Sequence, residues 1–113
     1  MGGAVMRLGI VEYIDCAHYL PEHRSCGRPH GHTYRIEVTI EGEKKEGIVI
    51  DFHELKALVR EVLDEYDHRS LNELLSFPSC ENLCESIHAK LKEKLPFPFT
   101  LRVWEGRDKW VEK

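Results

Sequence analysis

The sequence predicts an α+β domain, an antiparallel four-stranded sheet with two helices on one face, in the order ββααββ. Three observations carry this expectation. Residues 30–41 alternate between apolar and polar, the period of a half-buried strand. Residues 52–66 and the stretch from Pro78 to Leu95 place apolar side chains at helical spacing. Alternation then resumes from Phe99 and passes through a Gly106-Arg107 turn.

Residues 5–19 form the first expected strand. Leu8, Ile10, Ile14 and Cys16 share the parity of His18, with Glu12 interrupting the pattern. A loop from Pro21 to Pro29, rich in Pro, Gly and charge, carries Cys26. In the second strand His30, His32, Tyr34, Ile36, Val38 and Ile40 point one way, and Thr33, Arg35, Glu37, Thr39 and Glu41 the other. The two histidines therefore stand on the apolar face. Gly42 to Gly47 is a polar turn, after which Ile48-Val49-Ile50 extends or resumes the sheet.

Asp51 and Glu54 have the form of a capping box. Leu55, Leu58, Val59, Val62, Leu63 and Tyr66 then predict a helix over 52–66, with Asp67-His68 at its C-terminal end. Arg69 to Phe77 connects to the second helix. Ser79 is its N-cap, Leu83, Ile87, Leu91 and Leu95 its buried stripe, and Pro96 and Pro98 stop it. Leu101, Val103 and Glu105 share one face of the third strand, and a short fourth lies near Lys109-Trp110-Val111.

A chain of 113 residues suits a single domain spanning 1–113. The net charge of −4, with scattered basic residues, argues against a nucleic-acid partner. No apolar run approaches the roughly 20 residues of a membrane span. The start Met1-Gly2-Gly3-Ala4 lacks the features of a signal peptide, so a cytoplasmic address is expected. Four cysteines (Cys16, Cys26, Cys80, Cys84) without a Cys-x2-Cys pair argue against a zinc ribbon, and in the cytoplasm they stay mostly reduced.

His30 and His32 leave one face of a strand with Cα atoms roughly 6.5–7 Å apart. At that spacing two imidazoles reach one metal ion, and His18 on a paired strand supplies a third nitrogen and leaves a fourth position open. Burying three unpartnered imidazoles costs free energy that a metal offsets. Nitrogen-only ligands fit zinc, and also copper, iron or nickel.

Cys26 has two readings. Most cysteines are structural, but this one lies in a polar loop beside Arg28, where positive charge favours the thiolate of a base or nucleophile. Asp67-His68 is either a helix-end histidine favoured by the dipole or a carboxylate-tuned proton relay. Glu81 fits the first turn of a helix as a dipole-compensating anion. Glu105 points a carboxylate towards the core and calls for a partner, for which an amidine-like ligand edge offers two parallel hydrogen bonds.

Together, Cys16-Ala17-His18, Cys26-x3-His30-Gly31-His32, Ile50-Asp51-Phe52, Asp67-His68-x2-Leu71-Asn72, Pro78-Ser79-x-Glu81-Asn82 and Val103-Trp104-Glu105 cover nearly the whole chain. In that order they resemble the 6-pyruvoyltetrahydropterin synthase family, which includes the 6-carboxytetrahydropterin synthases of queuosine synthesis. The resemblance implies the tunnelling fold (T-fold), with three subunits joining their sheets into a barrel and two trimers stacking as a homo-hexamer. The polar face of the second strand would line the tunnel. It implies a zinc-dependent lyase acting on 7,8-dihydroneopterin triphosphate. His18, His30 and His32 would be the zinc ligands, Cys26 the proton acceptor, and Asp67 with His68 the relay. Glu105 would be the pterin anchor and part of the relay; Ser79, Cys80 and Glu81 would contact the pterin. Three residues between Cys26 and His30 match the carboxypterin branch, which releases acetaldehyde and triphosphate. The alternatives are a pyruvoyl synthase or another dihydroneopterin side-chain cleavage within the family, and a non-catalytic pterin- or zinc-binding protein outside it. Cys16 and Ser79 replace a usual alanine and threonine, and Cys80 places a second thiol near the pterin.

Overall fold

The computed structural model describes residues 4–22 and 27–113. Strands β1 (Val5–His18) and β2 (His30–Glu43) are followed by helices α1 (Phe52–Leu63) and α2 (Cys80–Lys94), then by β3 (Phe99–Glu105) and β4 (Lys109–Glu112). The four strands form one antiparallel sheet in the order β1-β2-β3-β4.

Register follows the apolar pattern. Ile14 opposes Tyr34, Val38 opposes Leu101, and Ile36 opposes Val103. These side chains, with Ile40 and Cys16, are buried against Leu55, Val59, Val62 and Leu63 of α1 and Leu83, Cys84, Ile87 and Leu91 of α2. Each fully buried aliphatic side chain contributes about 1.5–3 kcal/mol. A register slip of one residue would turn the whole set to solvent, so this burial also fixes which side chains face the helices. Among the described residues, no helix is long and apolar enough to cross a membrane.

Both helix starts are capped by side chains. Asp51 accepts from the His53 N–H at 2.7 Å, and Ser79 from the Asn82 N–H at 3.1 Å. Two element boundaries differ from the sequence expectation. α1 ends at Leu63 rather than Tyr66, because the chain tightens there: Glu65 N–H donates to Val62 O and Tyr66 N–H to Leu63 O. Tyr66 is still fully buried, but from the turn. Ile48-Val49-Ile50 does not resume the sheet as a strand. β2 instead runs on to Glu43, Lys45 and Ile48 close the turn as a bridge, and Val49 and Ile50 pack against the core from irregular backbone. The connector between the helices contains a 3-10 turn, Leu71–Glu73, which buries Leu71.

Candidate active site

The apolar face of the sheet ends in histidines. His18, the last residue of β1, lies directly opposite His30, the first of β2, and His32 lies opposite Cys16. His18 is 2% exposed, a degree of burial that demands partners. Its Nδ1 lies 2.8 Å from Pro78 O, and His30 Nδ1 lies 2.7 Å from Arg28 O. A carbonyl only accepts, so each ring carries its proton on Nδ1 and presents a bare Nε2. The two Nε2 atoms are 3.1 Å apart, and nitrogens of all three rings lie within 4.8 Å of one another. Bonds of 2.0–2.1 Å to a tetrahedral ion put ligand nitrogens about 3.3 Å apart. The three residues thus fit one metal ion and leave a fourth position.

The charge state agrees with that role. Burial, helped by the neighbouring His18 and His30 rings and by Lys109, holds His32 below the ordinary imidazole range, although Glu105 works against it. A neutral imidazole is what a metal requires. Tyr34 closes the site from below, fully buried, with its hydroxyl 3.3 Å from His18 Nδ1 and its ring edge-on to those of His18 and His32.

Glu105 opposes Tyr34 in register and brings a carboxylate oxygen to 3.6 Å from His32 Nε2. It also lines a cavity of about 250 Å³ with Ser79, Cys80 and Glu81. The start of α2 and the end of β3 therefore meet beside the histidines. The Cys80 thiol faces Val103 O at 3.6 Å, and burial, with Glu105, Cys84 and Glu81 nearby, pushes its pKa up to about 12. It is a protonated thiol at neutral pH.

Asp67 and His68 reach the same end of the sheet along the β1 edge. His68 N–H donates to Asp15 O at 2.7 Å, and Ala17 N–H donates to Arg69 O at 3.1 Å. His68 adopts φ 61°, a left-handed conformation uncommon outside glycine and found at functional sites. Its Nδ1 lies 3.0 Å from Asp67 Oδ1, a close contact between an imidazole and a carboxylate. The His68 backbone is docked on β1, while the Asp67 N–H still donates to Leu63 O at the end of α1 at 3.0 Å. His68 and His32 line one cavity of about 480 Å³ with Cys16 and Thr33. Cys26 lies outside the described residues; its neighbour Arg28 contributes the carbonyl that holds His30.

Two residues to which the sequence patterns gave no role complete the frame. Arg60 donates to Asp67 Oδ2 at 2.9 Å, and the Asn72 side chain brackets the Tyr19 backbone, accepting from its N–H and donating to its C=O at 3.0 Å each. The place of Asn72 in the Asp67-His68-x2-Leu71-Asn72 motif was the available signal for that contact; Arg60 had none.

A four-stranded antiparallel sheet backed by two helices, with three convergent imidazoles at the end of its inner face, is the architecture of a pterin-synthase T-fold. The chain belongs to the 6-pyruvoyl tetrahydropterin synthase family, whose pattern it matches over residues 8–113. It is 44% identical over 108 residues to an Archaeoglobus fulgidus protein provisionally named 6-carboxy-5,6,7,8-tetrahydropterin synthase, covering 95% of this chain and 94% of that one. It is 42% identical over 86 residues to the dihydroneopterin monophosphate aldolase of Pyrococcus furiosus, covering 74% and 75% of the two chains. Its fold superposes on Caenorhabditis elegans 6-pyruvoyl tetrahydropterin synthase with a TM-score of 0.88 at 22% identity, over 100% of this chain and 97% of the other.

Proposed function

We propose that the chain is a zinc-dependent 6-carboxy-5,6,7,8-tetrahydropterin synthase. It converts 7,8-dihydroneopterin triphosphate to 6-carboxytetrahydropterin with loss of acetaldehyde and triphosphate, in the cytoplasmic synthesis of 7-deazapurines. The observation that carries this reading is the pair of bare Nε2 atoms of His18 and His30, 3.1 Å apart, with Glu105 a further 3.6 Å from His32.

His18, His30 and His32 would hold zinc, which supplies Lewis-acid polarisation of the substrate's side-chain oxygens. The chain's own groups do the rest. Glu105 accepts hydrogen bonds from the amino-pyrimidine edge and fixes the ring, with Ser79, Cys80 and Glu81 as further walls of that pocket. Cys26 takes a side-chain proton as thiolate. His68, held through Nδ1 by Asp67, moves protons at Nε2. Two edge strands, β1 and β4, are available to join copies, and the polar face of Thr33, Arg35, Glu37, Thr39 and Glu41 is free to line a shared barrel. These surfaces suit the homo-hexamer of two stacked trimers that the family resemblance implies.

The relative from Pyrococcus furiosus favours a second reading, carbon–carbon cleavage of dihydroneopterin monophosphate by the same site. Pyruvoyl synthase activity is the third outcome. Mass analysis of products from both phosphorylated pterins separates them. Acetaldehyde with a carboxypterin supports the proposal, a phosphorylated two-carbon aldehyde from the monophosphate supports the aldolase, and a pyruvoyl product replaces both.

A further inference from the structure

Arg60, in the last turn of α1, makes contacts that a surface ion pair does not explain. Its side chain is 24% exposed. Nε and Nη2 donate to Asp64 Oδ1 at 3.1 and 2.6 Å, Nη2 also donates to Asp67 Oδ2 at 2.9 Å, and Nη1 donates to Tyr13 O at 3.0 Å. Glu12 Oε1 lies 3.5 Å from Nη1. The Asp64 contact is an exposed i, i+4 pair of small value. The contacts to Asp67 and Tyr13 differ, because they lock α1 and β1 around the carboxylate that faces His68.

Both oxygens of Asp67 have their own donors. Oδ2 accepts from Arg60, while Oδ1 accepts from the Asp15 N–H at 2.9 Å and lies 3.0 Å from His68 Nδ1. Terminal rotation of a carboxylate is soft when one oxygen is free, and a second charged donor removes that freedom. The backbone of His68 is already fixed by its N–H bond to Asp15 O. The orientation of Asp67 therefore decides which ring nitrogen of His68 keeps the proton.

We propose that Arg60 is a positioning residue. By holding Oδ2 of Asp67 it keeps Oδ1 beside His68 Nδ1, so that the ring carries its proton on Nδ1 and leaves Nε2 bare. Burial opposes charge on Asp67, but the bonds from Asp15 and Arg60, with His68 beside it, hold the carboxyl below its usual range. The ionised, doubly anchored acceptor is thus maintained at neutral pH.

The inference rests on the relay role proposed for Asp67 and His68, and its test separates the two. Nitrogen NMR of the zinc-loaded protein at alkaline pH, with His68 assigned by comparison with His68→Gln, reads the tautomer without any turnover. The expected result is an Nδ1–H ring in the natural protein and mainly Nε2–H in Arg60→Gln. Arg60→Lys lies between, since an ammonium lacks the guanidinium fork. In turnover, Arg60→Gln lowers kcat by ~10–100-fold with KM within about twofold, as other residues that orient a functional group do. An unchanged tautomer and kcat in Arg60→Gln, with only a lower Tm, would overturn the proposal. If Arg60→Gln does not fold, Arg60→Lys decides by the same two readouts. If the natural protein turns over no pterin, the reaction reading fails, and the tautomer alone still decides the role of Arg60.

Discussion

His18 and His30 stand opposite each other across β1 and β2 with their Nε2 atoms 3.1 Å apart, and each has its other ring nitrogen on a backbone carbonyl. Two lone pairs at that distance repel unless a cation lies between them. The natural protein is therefore expected to bind one zinc per chain by elemental analysis. At a free zinc concentration of 100 times Kd the metal adds about 2.7 kcal/mol of stability. His30→Ala, at a ligand less buried than His18, should fold and lose stoichiometric metal; retention of one tightly held zinc contradicts the site.

Acid should act through Asp67. Its carboxyl is held below the ordinary range in the folded chain, because bonds from Asp15 and Arg60 and the proximity of His68 outweigh burial. A depressed folded value means that the group's contribution to stability is complete above about pH 4 and is lost as pH falls through the folded value. Urea unfolding should show Asp67→Asn clearly less stable than the natural protein at pH 7, with the gap narrowing in acid. A gap independent of pH contradicts this.

Thiol chemistry should single out Cys26. Burial, with Asp67 and Asp15 nearby, pushes Cys16 up to about 12. Cys80 likewise reaches about 12, and burial takes Cys84 to about 11. Those three stay protonated at pH 7.5, so iodoacetamide on the native protein should modify Cys26 first, by at least ~10-fold over the others. Peptide mass spectrometry reads the order; faster labelling of Cys80 would move the reactive thiol to the pterin pocket.

Gly9 tests the hairpin that carries the histidines. A Cβ there would lie 2.5 Å from Val38 O and 3.2 Å from Thr39 Cα, both backbone atoms that cannot step aside without opening the β1–β2 ladder. Gly9→Ala should cost about 1–3 kcal/mol by denaturant titration, the range of overpacking. A neutral result would mean that the strands separate more easily there than their pairing implies.

The inner face was legible because strand parity is a local property. Alternation alone places His18, His30, His32 and Glu105 on the face of Ile36 and Val103. It did not reach contacts that cross the sequence. Arg60 meets Tyr13 from 47 residues away, and Asp67 meets the Asp15 N–H from 52, with no periodic signal linking either pair. Tyr66 sits at helical spacing and is buried, but from a turn that delivers Asp67 to β1, so spacing alone overextended α1. Ile48-Val49-Ile50 has strand composition, yet Val49 and Ile50 are satisfied by packing rather than by pairing, and Ile48 stays exposed beside its bridge to Lys45.

The most direct measurement is the release of triphosphate and acetaldehyde from 7,8-dihydroneopterin triphosphate by the zinc-loaded, chelated and zinc-restored protein. The loaded protein should release both products in equal amounts, lose both activities on chelation, and recover them when zinc is added back. Equal turnover by the chelated protein, or no release of triphosphate by the loaded one, would contradict it.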